Sequence, residues 1–230
     1  NVTLCGGDDR YLIWTLNEDG YSRLNVRDLH QNRTLDIPEF PEGIFSIDCQ
    51  GSPAKLAITI NGWKTPGNIW VWDLASETTH EVFAASMAGL DPERLIRPES
   101  LSIAARDGVQ LEGLLYLPDE SSRLNTNPPP IVFLVHGGPT GQSRPRFNAI
   151  VQYHVDRGMA VFEPNVRGST GFGHTYSTLD DSENRLNSVR DLVDMQQYLN
   201  RDPRVDASRA AERRGQLQLN NLKPTGDSSN

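Results

Sequence analysis

The 230-residue chain is 37% apolar and 23% charged, with a mean hydropathy of −0.51, which is typical of a soluble globular protein of one or two domains. Its 30 acidic residues outnumber 22 basic ones, and this net charge of −8 argues against the basic face that a nucleic acid or an anionic membrane surface requires. Cys5 and Cys49 are too few for a disulfide scaffold and wrongly spaced for a zinc site, so we expect a reducing cytoplasm, no metal and no other cofactor.

The first part of the chain consists of short β-type runs. Residues 8–29 hold two such runs on either side of a Gly-containing turn, which predicts a hairpin. The pattern returns at 54–59 and 68–74, about fifty residues later, a spacing that favours β-propeller blades. An ordinary antiparallel sheet stays open as the alternative, since two units do not distinguish the folds.

The pattern changes near residue 86, where an α/β part begins. A turn or short capped helix is predicted at 89–93, followed by two strands on either side of Asp107-Gly108. The apolar run at 131–135 predicts a strand buried on both faces of a parallel sheet. The remaining predicted elements are a surface connection at 118–130, a helix at 147–157, a strand at 159–162 and a helix at 188–200.

The last of these helices is predicted to be amphipathic. Its apolar face combines Val189, Leu192, Val193, Gln196 and Leu199 at mostly helical spacing. We therefore expect these side chains to face the sheet.

Two glycine-rich segments follow the two buried strands. In His136-Gly137-Gly138-Pro139 the glycines allow a sharp turn whose amide N–H groups face the crevice at the strand's carboxyl end, the pattern of an oxyanion loop. A plain glycine-rich turn is the alternative. The second segment, 165–173, lacks the spacing of a phosphate loop. Its Arg167 is predicted either to bind a substrate carboxylate or to hold neighbouring loops together.

Five motifs in this order resemble the prolyl oligopeptidase family of serine peptidases, especially its acylaminoacyl-peptidase-like branch. They are Trp-Thr-Leu-Asn-Glu-Asp-Gly-Tyr-Ser-Arg-Leu at 14–24, Asn-Ile-Trp-Val-Trp-Asp-Leu at 68–74, Asp-Gly-Val-Gln-Leu-Glu-Gly-Leu-Leu-Tyr-Leu-Pro at 107–118, Val-His-Gly-Gly-Pro at 135–139 and Asn-Val-Arg-Gly-Ser-Thr-Gly-Phe-Gly at 165–173. The resemblance covers residues 8–208. It implies a β-propeller, an α/β-hydrolase domain and peptide-bond hydrolysis through an acyl-enzyme, with Ser, Asp and His in that chain order.

The resemblance divides the chain into three parts. Residues 1–85 correspond to the end of the β-propeller, and 86–208 to the amino-terminal part of the α/β-hydrolase domain, with an incomplete sheet. His136 and Pro139 then belong to the oxyanion loop, with the amide of Gly138, or of Gly137, as the donor. A peptide is the implied substrate of the intact family member.

Residues 209–230 depart from the family. A Gly-x-Ser-x-Gly elbow should follow Arg209 within about ten residues, but only Ser228 has a glycine two positions before it, and Asn230 stands where the second glycine is required. The polar tail predicts disorder or a shifted reading frame. Since the chain also opens without Met, we expect a truncated or frameshifted peptidase that lacks all three triad residues and is inactive as it stands.

Two other functions stay open. The chain could be a non-catalytic module that binds a peptide or a protein, although its incomplete sheets would expose apolar edges. An esterase using Ser169 would keep the oxyanion loop, but the sequence marks no base beside that serine. His154 is interpreted as a surface residue of its helix. The sequence predicts no oligomeric state and no nucleic-acid or membrane partner.

Overall fold

The computed structural model describes residues 2–119, 128–137 and 140–214, with the backbone alone for 213 and 214. The predicted oxyanion-loop residues Gly138 and Pro139 lie outside these ranges. So do most of the predicted connection at 118–130 and the tail from 215 onward, including Ser228.

Two four-stranded antiparallel sheets form the β-rich part, each with its strands in chain order. The first contains β1 (Val2–Cys5), β2 (Tyr11–Glu18), β3 (Tyr21–Asp28) and β4 (Arg33–Thr34). The second contains β5 (Ile44–Gln50), β6 (Lys55–Gly62), β7 (Thr65–Asp73) and β8 (Thr78–Phe83). Both predicted hairpins are present, and these four-stranded meanders are β-propeller blades.

The core of this part lies between the two sheets. Along β6, buried residues alternate with half-buried ones, as expected for a strand with one face on a core. Leu56, Ile58 and Ile60 point inward and form one cluster with Ile13 of β2 and Trp72 of β7. The period-two pattern in the sequence therefore decides which face of each blade is covered.

The pairing of the two cysteines was not predicted from the sequence. A disulfide joins Cys5 of β1 to Cys49 of β5, whose Cα atoms are 5.8 Å apart. The bond links the first blade to the second across 44 residues of sequence. Spacing along the chain did not reveal it because the two strands meet only in the folded blades, and the cysteine count no longer supports a reducing compartment.

The α/β part is built on a five-stranded sheet in the order β13-β11-β12-β10-β9. Its strands are β9 (Glu99–Ala104), β10 (Gln110–Tyr116), β11 (Pro130–Val135), β12 (Ala160–Asn165) and β13 (Asp206–Arg214). The α-helices are α1 (Ala149–Asp156), α2 (His174–Ser177) and α3 (Arg185–Leu199), and a 3₁₀ turn spans Pro92–Arg94 behind its N-cap Asp91. Within the described ranges, no helix is both long and apolar enough to cross a bilayer.

The central strands of this sheet are covered on both faces. β11 runs parallel to β12 and β13, while β10 is antiparallel to β12. Ile131 and Phe133 of β11 pack on the side of Met195 in α3, and Val132 packs on the opposite side with Val151 of α1. This two-sided burial is why β11 is a continuous apolar run.

Two expectations about the end of this part need correction. The predicted boundary at 208 lies inside β13, which continues to Arg214 because residues 210–214 pair with β11. The predicted face of α3 is present only in part: Leu199 is buried, but Val189 and Val193 line a groove against β11 and β13 and stay exposed. The burial of Asp191, which is paired with the buried Arg167, was not predicted.

Candidate functional site

The two glycine-rich segments lie at the same edge of the five-stranded sheet. β11 is the third strand of this sheet in chain order, and His136 and Gly137 follow it directly. The second segment follows β12 at its carboxyl end. Because β11 and β12 are parallel, both segments emerge side by side, where ligands bind in open α/β sheets.

Direct hydrogen bonds join the two loops. Nε2 of His136 lies 3.0 Å from Oγ of Ser169, and the amide of Thr170 donates to the carbonyl oxygen of Gly141 at 2.8 Å. A Cβ atom on Gly141 would come within 2.7 Å of Nδ1 of His136, so glycine is needed there for the imidazole to pack. The sequence did not indicate the His136–Ser169 contact, because the residues are 33 positions apart.

Asn165 holds the return of the first loop against the end of β12. Its buried side chain accepts from the amide of Ser143 at 2.7 Å and donates to the carbonyl oxygen of the same residue at 3.0 Å. The hydroxyl of Tyr176 donates to the Asn165 carbonyl oxygen at 2.7 Å. Residues 141–143 are thus held at the strand end from several directions.

Arg167 is buried between two carboxylates. Its guanidinium is 2.7 Å from Asp191, which is fully buried, and 2.7 Å from Asp107 in the β9–β10 turn. The hydrogen bonds that Arg167 donates, together with its charge, lower the pKa of Asp107 to about 2. Because the N–H groups of the guanidinium are already bonded to two carboxylates, this arrangement favours the structural interpretation of Arg167 over substrate binding.

The first blade contacts the segment that follows the first loop. Arg144 donates from Nε to the carbonyl oxygen of Gly20 at 2.7 Å, and Asn17 donates to the side chain of Gln142 at 2.9 Å. A cavity of about 150 Å³ lies at this junction. Its lining combines the blade hairpin, β9, β10, the segment after the first loop and the second loop: Asp19, Gly20, Ser100, Glu112, Gly113, Leu114, Gln142, Ser143, Asn165 and Phe172.

The fold therefore defines a protein in which propeller blades contact an α/β-hydrolase sheet, next to two loops that follow its parallel strands β11 and β12. Residues 145–213 match the prolyl oligopeptidase family. The resemblance of this chain to the prolyl oligopeptidase family of serine peptidases is thereby confirmed.

Relatives and solved structures agree with this family. Dipeptidyl aminopeptidase BIII of Pseudoxanthomonas mexicana is 32% identical over 131 residues, which are 55% of this chain and 19% of that protein. Among solved structures, a Mycobacterium tuberculosis puromycin-hydrolyzing peptidase superposes with a TM-score of 0.74 at 24% identity, over 91% of this chain and 32% of that one. Prolyl oligopeptidase B from Galerina marginata, bound to a 35mer substrate, superposes with a TM-score of 0.79 at 17% identity, over 93% of this chain and 30% of that one.

The structural likenesses establish the fold across the junction between blades and sheet. The chain spans about a fifth of the length of the curated relative and about a third of the solved structures.

Proposed function

We propose that this chain supplies the propeller–hydrolase junction and the oxyanion loop of a serine peptidase. The observation that carries the proposal is the position of residues 136–137, directly after the third strand of the hydrolase sheet, on a loop whose following segment contacts the blade hairpin through Arg144. In acyl transfer, a backbone amide at this position stabilises the negative charge of the tetrahedral intermediate. The amide of Gly138 is the proposed donor, and that of Gly137 is the alternative.

The substrate proposed for the intact protein is a peptide. The relatives and solved structures named above are peptidases, and the blades of this chain border the cavity at the loop edge, where they can restrict access to it. The acyl-enzyme mechanism would then use a serine outside the described residues. The acylaminoacyl-peptidase-like branch and a cytoplasmic location stay predictions from the sequence.

We propose further that the 230-residue chain alone forms no acyl-enzyme. Ser169, the serine bonded to a histidine at the loops, is 1% exposed and cannot reach a substrate carbonyl. This burial also argues against the esterase that uses Ser169.

A fluorophosphonate probe tests this proposal on the purified chain. We expect no labelled serine, with an active serine peptidase in the same reaction as the positive control. Labelling at a normal rate contradicts inactivity, and its loss in Ser169→Ala or in Ser228→Ala would identify the serine responsible.

The family function itself is tested on the encoding DNA, read in three frames beyond the Arg209 codon. We expect a Gly-x-Ser-x-Gly elbow followed by Asp and His, and the corresponding longer product should take the probe. An uninterrupted frame that encodes no elbow would contradict the peptidase.

One feature favours the second candidate, a non-catalytic interaction module. An apolar groove of about 260 Å³ lies between α3 and β13, and Val189 and Val193 on its rim are 55% and 46% exposed. Sedimentation and thermal melting of the purified chain decide between the candidates. A monodisperse chain with a cooperative melt supports the module, and aggregation supports the peptidase segment.

A further inference from the structure

The contact between His136 and Ser169 has a direction that the surrounding atoms determine. Besides lying 3.0 Å from Nε2 of His136, Oγ of Ser169 lies 2.6 Å from the carbonyl oxygen of Val166. A hydroxyl carries one proton and a carbonyl oxygen only accepts. The Ser169 proton therefore goes to Val166, and Oγ accepts a hydrogen bond from Nε2–H of His136.

The protonation state of His136 is consistent with this direction. Burial lowers the pKa of the imidazole, which favours the neutral ring with a single N–H. Nδ1 lies beside Gly141, whose missing Cβ leaves room for the ring, and 3.4 Å from the Gly137 carbonyl oxygen. That contact is longer than an ordinary N–H···O hydrogen bond, whereas the 3.0 Å contact at Nε2 is not, so the proton is assigned to Nε2 and Nδ1 is unprotonated. A histidine that donates to Ser169 cannot also take its proton, so the two residues do not form a nucleophile and base pair.

Two neighbouring residues of the second loop, Ser169 and Thr170, hold both ends of the first loop. Ser169 accepts from the His136 side chain at the beginning of the loop, and the amide of Thr170 donates to the Gly141 carbonyl oxygen at its end. The hydroxyl of Ser169 is itself fixed by the Val166 carbonyl oxygen. The second loop is therefore the support of the first.

We propose that Ser169 is a positioning residue: by accepting the Nε2–H hydrogen bond of His136, and together with Thr170, it fixes both ends of loop 136–141. The functional importance of this support rests on the proposed function, in which the loop carries the oxyanion donor. The hydrogen bond and its direction do not depend on that function.

Two-bond ¹H–¹⁵N correlation spectra of the full chain, labelled at histidine, test the direction. The His136 signal is assigned by its absence from His136→Gln. We expect the Nε2–H tautomer in the wild-type chain and a shift of population toward the Nδ1–H tautomer in Ser169→Ala. Ser177→Ala is the matched control, because that hydroxyl donates to the carbonyl oxygen of His174 and leaves His136 untouched.

Amide hydrogen exchange tests the support of the loop. In Ser169→Ala we expect the Thr170 amide to exchange about fivefold faster, the factor that corresponds to one net hydrogen bond. His136→Gln keeps an N–H donor near the Nε2 position and should exchange like the wild type, whereas His136→Leu should exchange faster. The comparison of His136→Gln with His136→Leu can be made even if Ser169→Ala does not fold.

An Nδ1–H tautomer in the wild-type chain would overturn the proposal, and so would equal Thr170 exchange in the Gln and Leu variants. Neither measurement depends on whether the chain reacts with a fluorophosphonate probe. Failure of the proposed function and failure of this inference are therefore distinguishable.

Discussion

Arg144 donates from Nε to the carbonyl oxygen of Gly20 at 2.7 Å, which joins the tip of the first-blade hairpin to the segment that follows the candidate oxyanion loop. Gly20 has a φ of +86°, and a Cβ atom there would lie 2.8 Å from Cδ of Pro145. The hairpin tip and the α/β part can approach this closely only because residue 20 is glycine.

We expect Gly20→Ala to destabilise the chain more than Gly89→Ala. Gly89 has the same φ of +86°, but no atom lies within 4 Å of the place that its Cβ would take, so its substitution measures the backbone cost alone, about 1–2 kcal/mol. At position 20 the contact with Pro145 adds about 1–3 kcal/mol. Urea unfolding of the two variants gives the difference, and equal losses would show that the hairpin tip does not pack on Pro145.

Asp191→Asn should destabilise the chain far more than Asp107→Asn. Both carboxylates bond to Arg167, but Asp191 is fully buried and accepts from the backbone amide of Arg167 as well as from its guanidinium. Asn offers one acceptor oxygen in place of two and so leaves a buried donor unsatisfied, at a cost of about 3–5 kcal/mol. The side chain of Asp107 is 47% exposed, and its loss should cost about 1 kcal/mol or less. Unfolding free energies check this, and a larger loss for Asp107→Asn would contradict the order of burial.

Glu163 should make the chain less stable as the pH rises from about 4.5 to 7. Burial raises the pKa of this carboxyl from its ordinary value of 4.5 to about 7, although the Tyr116 hydroxyl donates to it at 3.1 Å. In this range the folded chain binds more protons than the unfolded one, so unfolding becomes easier as the proton is lost. Above pH 7 the penalty is complete.

Thermal melts of the wild type and Glu163→Gln at pH 5 and pH 8 measure this effect. The two melting temperatures should be similar at pH 5, and the variant should melt higher at pH 8. Glu183→Gln, at an exposed position, serves as the control. If the melting temperatures of the wild type and Glu163→Gln differed by the same amount at pH 5 and pH 8, Glu163 would not be the source of the pH dependence.

Reduction of the Cys5–Cys49 bond should lower the melting temperature. A cross-link between residues 44 apart restricts the unfolded chain and contributes about 4 kcal/mol in the chain-entropy account. The double variant Cys5→Ala/Cys49→Ala should melt at the lower temperature and be insensitive to reductant. Two free thiols in the unreduced, denatured wild type would contradict the bond.

Local patterns predicted most of the elements, including the two blade hairpins and the apolar strand β11. β13 was not recognised, because the run Ser-Arg-Ala-Ala-Glu-Arg-Arg at 208–214 has no strand-type periodicity. It is extended because it pairs with β11, so a neighbouring strand overrides its own weak propensity. The burial of Asp191 on α3 was missed for a related reason, since it depends on a pairing with Arg167, 24 positions away.

The sequence by itself determined the order of blades and sheet, the two glycine-rich loops and the resemblance to the family, because hydrophobic periodicity and contiguous motifs are local properties. Only the tertiary structure decided that Cys5 meets Cys49, that Arg167 is held by two aspartates and that Ser169 lies within hydrogen-bond distance of His136. Each of these contacts joins residues far apart in the chain. Their partners, and the direction in which a proton is shared, follow from burial and packing that no local pattern encodes.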